Sequence, residues 1–355
     1  MIGTIDSLLA HPVSFLDNAG PSGDIAVSTR IRLARNLAGH QFPCSASETE
    51  KIAVCDIITD AVLTNHILDF DGECRDFDLA SLSENDRAIL LERRLASQEF
   101  INGDSCGKHL LVCPLERCSI MVNEEDQIRM QSIRPGFQLN EVYEEINAID
   151  DALSCQLDYA FDERLGFLTS CPTNVGTGMR ASVMLHLPGL VLTGQIAPTI
   201  QGINKLNLAV RGIFGEGSEN LGNLFQISNQ STLGESEEKT IANLAAVINQ
   251  LIFHEKRARQ TLLDKDRYNL LDYVGRAYGT LRHSYKISSE EALKHLSGVR
   301  LGVDLGFFTA VDIAKVNELF IAIGPAHLQK SAGSPISSSE RDILRAKLCR
   351  DKIKG

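Results

Sequence analysis

The chain has 355 residues, 43% of them hydrophobic, and its 35 Lys and Arg against 46 Asp and Glu leave a formal net charge of -11. That length predicts a large domain plus a smaller one, and the acidic balance argues against a general nucleic-acid binder, which needs a surplus of Lys and Arg for phosphate contacts. No uncharged apolar run reaches bilayer length, the opening MIGTIDSLLAHPVSFLDNAG lacks a basic n-region, and nine scattered cysteines fit reduced thiols, so a soluble, cytoplasmic protein without a structural metal is expected.

In chain order, the first legible segment is DIAVSTRIRLARN. Read as a strand, its two-residue period puts Arg30 and Arg32 on one face, with Ile31 and Leu33 on the other. A solvated strand face accounts for this, but two guanidinium forks pointing the same way near Arg35 also suit a phosphate. Apolar spacing predicts helices around residues 46–64, 84–98 and 139–154.

Within CSIMVNEEDQIRMQSI, strand alternation would align Glu125, Gln127 and Arg129 on one side, giving a carboxylate and an arginine a shared cleft. An acidic turn before an exposed strand explains the same residues equally well. ERLGFLTSC reads as a strand ending at Cys171, followed by a glycine-containing loop. ASVMLHL then reads as a helix with Arg180 in its first turn, where backbone amides favour anions. Neither a Walker A loop nor a GxGxxG spacing is present. LNLAVRGIFG is a predicted strand leading into a glycine-rich loop that carries Glu216, for which a solvated hairpin is the plain alternative. NLFQISNQ is a further strand.

After TLGESEEKT, apolar positions recur at helical spacing over residues 238–282. S-x-x-E capping boxes at Ser288–Glu291 and Ser337–Glu340 predict two later helix starts. A boundary is expected near residue 255, inside a long connecting helix, dividing a domain over 1–255 from a helical one over 256–355.

Each motif alone is weak, and their combination is specific. STRIRLARNL, NEEDQIRMQSI, LTSCPTNVGTGMRASVMLHLP and RGIFGEGSE, in this order, resemble the signatures of the phosphagen (ATP:guanido) kinase family, and most of all its bacterial protein-arginine kinase branch. The resemblance implies an α+β fold: a large antiparallel β-sheet flanked by helices, followed by an all-helical C-terminal domain. By position it implies a cage of Arg30, Arg32, Arg129, Arg180 and Arg211 around the phosphates of ATP. Nucleotide contacts would extend over Ser28, Thr29, Ile31, Arg94, Ala181, Ser182, Val183, Met184, Gly212, Ile213, Phe214, Gly215 and Glu216. Glu125 and Glu216 would grip the acceptor guanidinium, with Cys171 beside them. Mg²⁺ would ride on the phosphates, with no protein ligand set of its own.

These residue types suit the chemistry. A guanidinium is a poor nucleophile with a pKa above about 12, so it needs carboxylates to orient it and take its proton. Arginines then neutralise the charge on the transferring phosphoryl group. Two positions depart from the family: Gln127 and Arg94 stand where histidines are usual.

Small-molecule members carry a helical domain ahead of the STRIR segment, which here begins at Ser28. The expected acceptor is therefore an arginine side chain in a protein, in a stress-response and quality-control setting. The tail Arg341-Asp342-Ile343-Leu344-Arg345-Ala346 resembles that branch's RDxxRA motif and implies an allosteric phosphoarginine site; without the resemblance, a solvated terminal helix suffices. A homodimer, an activator protein and protease-chaperone machinery are implied partners, and neither nucleic acid nor membrane is. Two other readings stay open: a kinase for free arginine or another small guanidino compound, and an inactive phosphoarginine-binding adaptor. The presence of both acids and all five arginines weighs against the adaptor.

Overall fold

The architecture comes from a computed structural model that describes residues 3–17, 20–70, 72–212 and 221–353. Glu216, with Ile213, Phe214 and Gly215, lies outside the described residues. A short helix, α1 (Ile5–Leu9), precedes the long strand β1 (Ala26–Arg35) and the helix α2 (Glu48–Thr64). Ser47 starts α2 by accepting the amide of Glu50, with acids in the first turn as the helix dipole favours. Next come β2 (Arg75–Asp78), α3 (Glu84–Glu92), α4 (Gln98–Asn102), β3 (His109–Val112), β4 (Cys118–Val122), β5 (Ile128–Pro135) and α5 (Leu139–Ser154). The helix expected over 84–98 stops at Glu92 because Arg94 takes a left-handed conformation, with φ 63°.

A two-residue ladder, β6 (Phe161–Asp162) and β7 (Gly166–Phe167), replaces the strand expected through ERLGFLTSC. Past the cysteine loop, residues Met179–His186 form a strand, β8, and not the expected helix. MRASVMLH buries both faces at the sheet's centre, and so short an apolar run has no periodicity that separates strand from helix. Arg180 is therefore a strand side chain with no helix N-terminus behind it. The mixed half closes with α6 (Pro188–Leu192), α7 (Ile196–Asn204), β9 (Leu208–Gly212) and β10 (Leu224–Asn229).

Eight strands form one antiparallel sheet in the order β2-β3-β4-β5-β1-β8-β10-β9. Its two faces have different fates. Ile31 and Leu33 of β1, Ile128 and Met130 of β5, and Ala181, Val183 and Leu185 of β8 point into the main core, with α2, α5 and the following helix packed over them. The alternate residues, Arg30, Arg32, Arg129, Arg180 and Ser182, face the other way.

The helical half begins with α8 (Glu237–Lys265), followed by α9 (Arg267–His283), α10 (Ser289–Asp304), α11 (Ile313–Ala322), α12 (Pro325–Ala332) and α13 (Ser338–Lys352). Residue 255 sits in the middle of α8. The buried Glu255 accepts the amides of Gly189 and Leu190 at 2.8 and 2.9 Å and the Arg259 guanidinium at 2.7 Å, pinning α8 to the start of α6. Ser288 caps α10, and Ser337 and Glu340 form a reciprocal capping box on α13. Val27, Ile133 and Leu224 of the second sheet face share a core with Leu296, Leu319 and Phe320 of the helical half. Each such buried side chain contributes about 1.5–3 kcal/mol, so the two halves are held together by a continuous apolar seam.

Candidate active site

The second sheet face concentrates guanidinium groups. Arg32 stands directly opposite Arg180 across β1 and β8, and Arg30 opposite Ser182. Like charges in facing positions destabilise a sheet pair unless a counter-ion joins them. Burial, with Arg94, Arg129 and Arg180 nearby, lowers the Arg30 guanidinium to about 9, and the same environment holds Arg32 well below its ordinary value. The Nε of Arg32 is buried without a hydrogen-bond partner among the described residues. Arg180 Nη2 lies 3.4 Å from Ser228 Oγ, and Arg211 on β9 is in register with Gln226 of β10, at the flank of the same face.

Arg94 enters from its left-handed turn, where its carbonyl accepts the Gln131 amide at 2.7 Å; burial lowers it to about 10, with Glu92 opposing. The structure thus brings Arg30, Arg32, Arg94, Arg129 and Arg180 together. Four come from three adjacent strands and one from a loop.

At the edge of this field, Glu125 does not lie on a strand aligned with Gln127 and Arg129. Residues 123–127 form a tight turn between β4 and β5, with Asn123 at φ 58°. Glu125 is exposed at the turn, its carboxylate 3.9 Å from Arg129 Nη1. Burial of part of its surface raises its pKa, Arg129 opposes this, Asp126 and Glu124 add to it, and a hydrogen bond with Cys171 lowers it. The expected neighbours therefore meet, but Gln127 is elsewhere. It is buried, its Oε1 accepting the Leu37 amide at 2.6 Å and its Nε2 donating to the Gln41 carbonyl at 3.0 Å, so it secures the exit of β1.

Two acids in the same turn are structural supports that spacing alone did not separate from Glu125. Glu124 is paired with Arg129 and accepts the Ser97 hydroxyl. Burial alone would raise its pKa, but Arg129 and Ser97 hold it below the usual carboxylate range. Asp126 Oδ1 accepts both Asn36 Nδ2 at 2.7 Å and the Ser170 amide at 2.6 Å, tying the Glu125 turn to the Cys171 loop and the end of β1. In that loop, Cys171 Sγ lies 3.0 Å from Thr173 Oγ1, and Thr232 Oγ1 donates to the carbonyls of Thr173 and Val175. Gly176, at φ 111°, has no room for a side chain, since a Cβ would meet the Thr232 carbonyl at 2.3 Å.

Several positions within the expected nucleotide segments face away from the cleft. Thr29, Ile31, Ala181 and Val183 are buried on the helix-covered face, Thr29 accepting the Gln138 amide and donating to the Gly136 carbonyl. Arg35 is neutralised by Asp150 at 2.6 Å and lies over the Phe167 ring at 3.5 Å. Ser28, Arg30, Ser182 and Met184 instead line a pocket beside the arginines.

In α13, Arg345 is buried: Nε donates to the Ile323 carbonyl at 3.0 Å, and Nη1 donates to the Ile287 carbonyl at 2.9 Å and to Asp342 at 2.5 Å. Ala346 packs in the core. Arg341 and Asp342 are partly exposed, with Arg341 donating to the Ile336 carbonyl.

Residues 54–258 match the family model described as "ATP:guanido phosphotransferase, C-terminal catalytic domain", and residues 267–355 match "Protein-arginine kinase McsB C-terminal domain". A protein-arginine kinase of Pelotomaculum thermopropionicum is 44% identical over 98% of this chain and 96% of its own length. Another, from Syntrophomonas wolfei, is 45% identical over 93% and 92%. The duplicated taurocyamine kinase from Schistosoma mansoni, solved with bound transition state analog components, superposes with a TM-score of 0.60 at 27% identity, covering 72% of this chain and 36% of that longer one.

Proposed function

Because this chain belongs to the ATP:guanido phosphotransferase family, we propose that its arginine field holds the phosphates of ATP and that it phosphorylates arginine side chains of proteins. The observation that carries this reading is the facing Arg32–Arg180 pair, surrounded by Arg30, Arg94 and Arg129 on one sheet face beside an exposed glutamate. Such a field is unfavourable empty and suits a polyphosphate. Arg211 and the Gly212–Glu216 segment complete it as an expectation, since Glu216 lies outside the described residues.

In the reaction, Glu125 accepts a proton from the acceptor guanidinium as its nitrogen attacks the γ-phosphorus. The N–P bond forms while the bond to the β-bridging oxygen breaks, and that oxygen leaves as ADP. Mg²⁺, for which the chain offers no ligand set among the described residues, would supply further charge neutralisation on the phosphates that Arg30, Arg32, Arg129 and Arg180 would hold. Cys171 hydrogen-bonds Glu125 and keeps its pKa from climbing further, which favours the proton-accepting form at neutral pH.

We place the regulatory site on α13, with Arg341 and Asp342 presented to phosphoarginine and Arg345 acting from beneath by fixing Asp342. Cytoplasmic location, a homodimer, an activator and a protease-chaperone partner belong to the same proposal; no helix among the described residues is long and apolar enough to cross a membrane. Incubation with ATP and Mg²⁺, offering free arginine and an unfolded protein in parallel, followed by mass spectrometry, tests the acceptor. Phosphoarginine is expected in the protein. Phosphate on free arginine alone would overturn the protein-acceptor reading.

A further inference from the structure

The cavity beside the arginines is not built by the sheet alone. Its floor is the second sheet face, with Ile133, Met184 and Leu224 among its apolar residues and Arg30 beside them, and Arg94 joins the lining. Its opposite wall comes from the helical half: Arg300 of α10, and Phe320 and Ile321 of α11. Phe320 is nearly buried and belongs to the core that joins the two halves, so this wall is part of a packed layer. Arg300 is 1% exposed, donating to Asn317 Oδ1 at 3.0 Å and to the Gly23 carbonyl, while its Nε is buried with no hydrogen-bond partner among the described residues.

A pocket lined by Arg30 and Arg94 together with mainly apolar side chains offers charge for phosphates and apolar surface for a base. The phosphates carry negative charge, and the base offers flat apolar faces with acceptor nitrogens at its rim. We propose that the helical domain forms the base-binding wall of the nucleotide site, with Phe320 and Ile321 packing against the purine face and the buried Arg300 holding that wall through Asn317 and the Gly23 carbonyl.

This rests on the arginine field being the phosphate site, and adds what neither the field nor the sheet supplies. Base selectivity resides in the helical half. A wall belonging to a second domain also makes ATP affinity depend on how that domain sits on the sheet, so any ligand that shifts α10 and α11 changes ATP affinity, and ATP changes that ligand's affinity by the same factor. Because α13 packs against α11 and α12, occupancy of the α13 surface has a physical route to the nucleotide.

The experiment compares binding of ATP with binding of inorganic tripolyphosphate, which has the charges and no base, to the full chain. Ile321→Ala is expected to weaken ATP roughly tenfold, the usual effect of trimming an apolar pocket, and to leave tripolyphosphate unchanged. Arg180→Ala is expected to weaken both. If Ile321→Ala binds ATP as the parent does while Arg180→Ala loses both ligands, the helical wall is refuted and the phosphate field stands. If Arg180→Ala loses neither, the phosphate field itself is refuted. An independent measurement on the unaltered protein covers a variant that folds poorly: photolysis with 8-azidoadenosine triphosphate should label a peptide spanning residues 313–324. Label confined to the sheet strands would overturn the proposal.

Discussion

At Glu125 the partial burial that raises the carboxyl pKa also makes it a better proton acceptor from a guanidinium. Glu125→Gln keeps the shape and removes the base, so turnover should fall about 10²–10⁴-fold with ATP affinity little changed. The sign of the pH dependence follows from the raised pKa. The base form is lost as pH falls through it, so the acid limb of the rate profile should lie above the ordinary glutamate range near 4.5. Cys171→Ala removes an interaction that lowers this pKa and should move that limb further toward neutral pH, while a profile unchanged from the parent would remove Cys171 from the mechanism.

Strand β1 shows how an element positions chemistry: its alternation sends Ile31 and Leu33 into the main core and, opposite them, Arg30 and Arg32 to the cleft. The tight turn between β4 and β5 does a different task, since its acids divide labour among the proposed proton acceptance at Glu125, pairing with Arg129 at Glu124 and loop docking at Asp126. Asp126→Ala strands the Asn36 amide and the Ser170 N–H that its carboxylate accepts. A loss of about 1–3 kcal/mol in stability is expected from denaturant melts. Turnover should fall because the Cys171 loop is no longer tied to the Glu125 turn, even where tripolyphosphate binding is kept. Equal turnover in parent and variant would show that the tie has no catalytic consequence.

For the whole molecule, the arginine field makes the empty protein electrostatically unfavourable, and the helical half covers part of the sheet face beside it. Tripolyphosphate should therefore raise the melting temperature, by an amount that grows with its concentration, and this gain should shrink in Arg180→Ala. The tail helix sets a structural arginine, Arg345, one turn from the one proposed for recognition, Arg341. Arg345→Ala leaves two buried carbonyls and Asp342 without their donor and is expected to cost about 3 kcal/mol. Arg341→Ala is expected within about 0.5 kcal/mol of the parent. Calorimetric titration with phosphoarginine should show loss of binding in Arg341→Ala, and parental affinity there would move the proposed site elsewhere.

Local order was legible in the residues themselves. The shared face of Arg30 and Arg32 follows from a two-residue period, the caps at Ser288 and Ser337 from the S-x-x-E spacing, and the family from four motifs in a fixed order. Three matters were not legible, for one physical reason: they depend on partners distant in sequence. Residues 179–186 became a strand because β1 and β10 pair with them on both sides, which their own apolar run cannot announce. Glu124, Glu125 and Asp126 are alike in sequence, and only the packing of Ser97, Arg129, Asn36 and Ser170 around them assigns each its part. Arg345 reads as a solvated cation one turn from Arg341, yet the carbonyls of Ile287 and Ile323 enclose it. Periodicity belongs to a segment, whereas burial and charge pairing belong to the assembled fold, so tertiary structure alone decided which arginines gather on one sheet face and which hold the protein together.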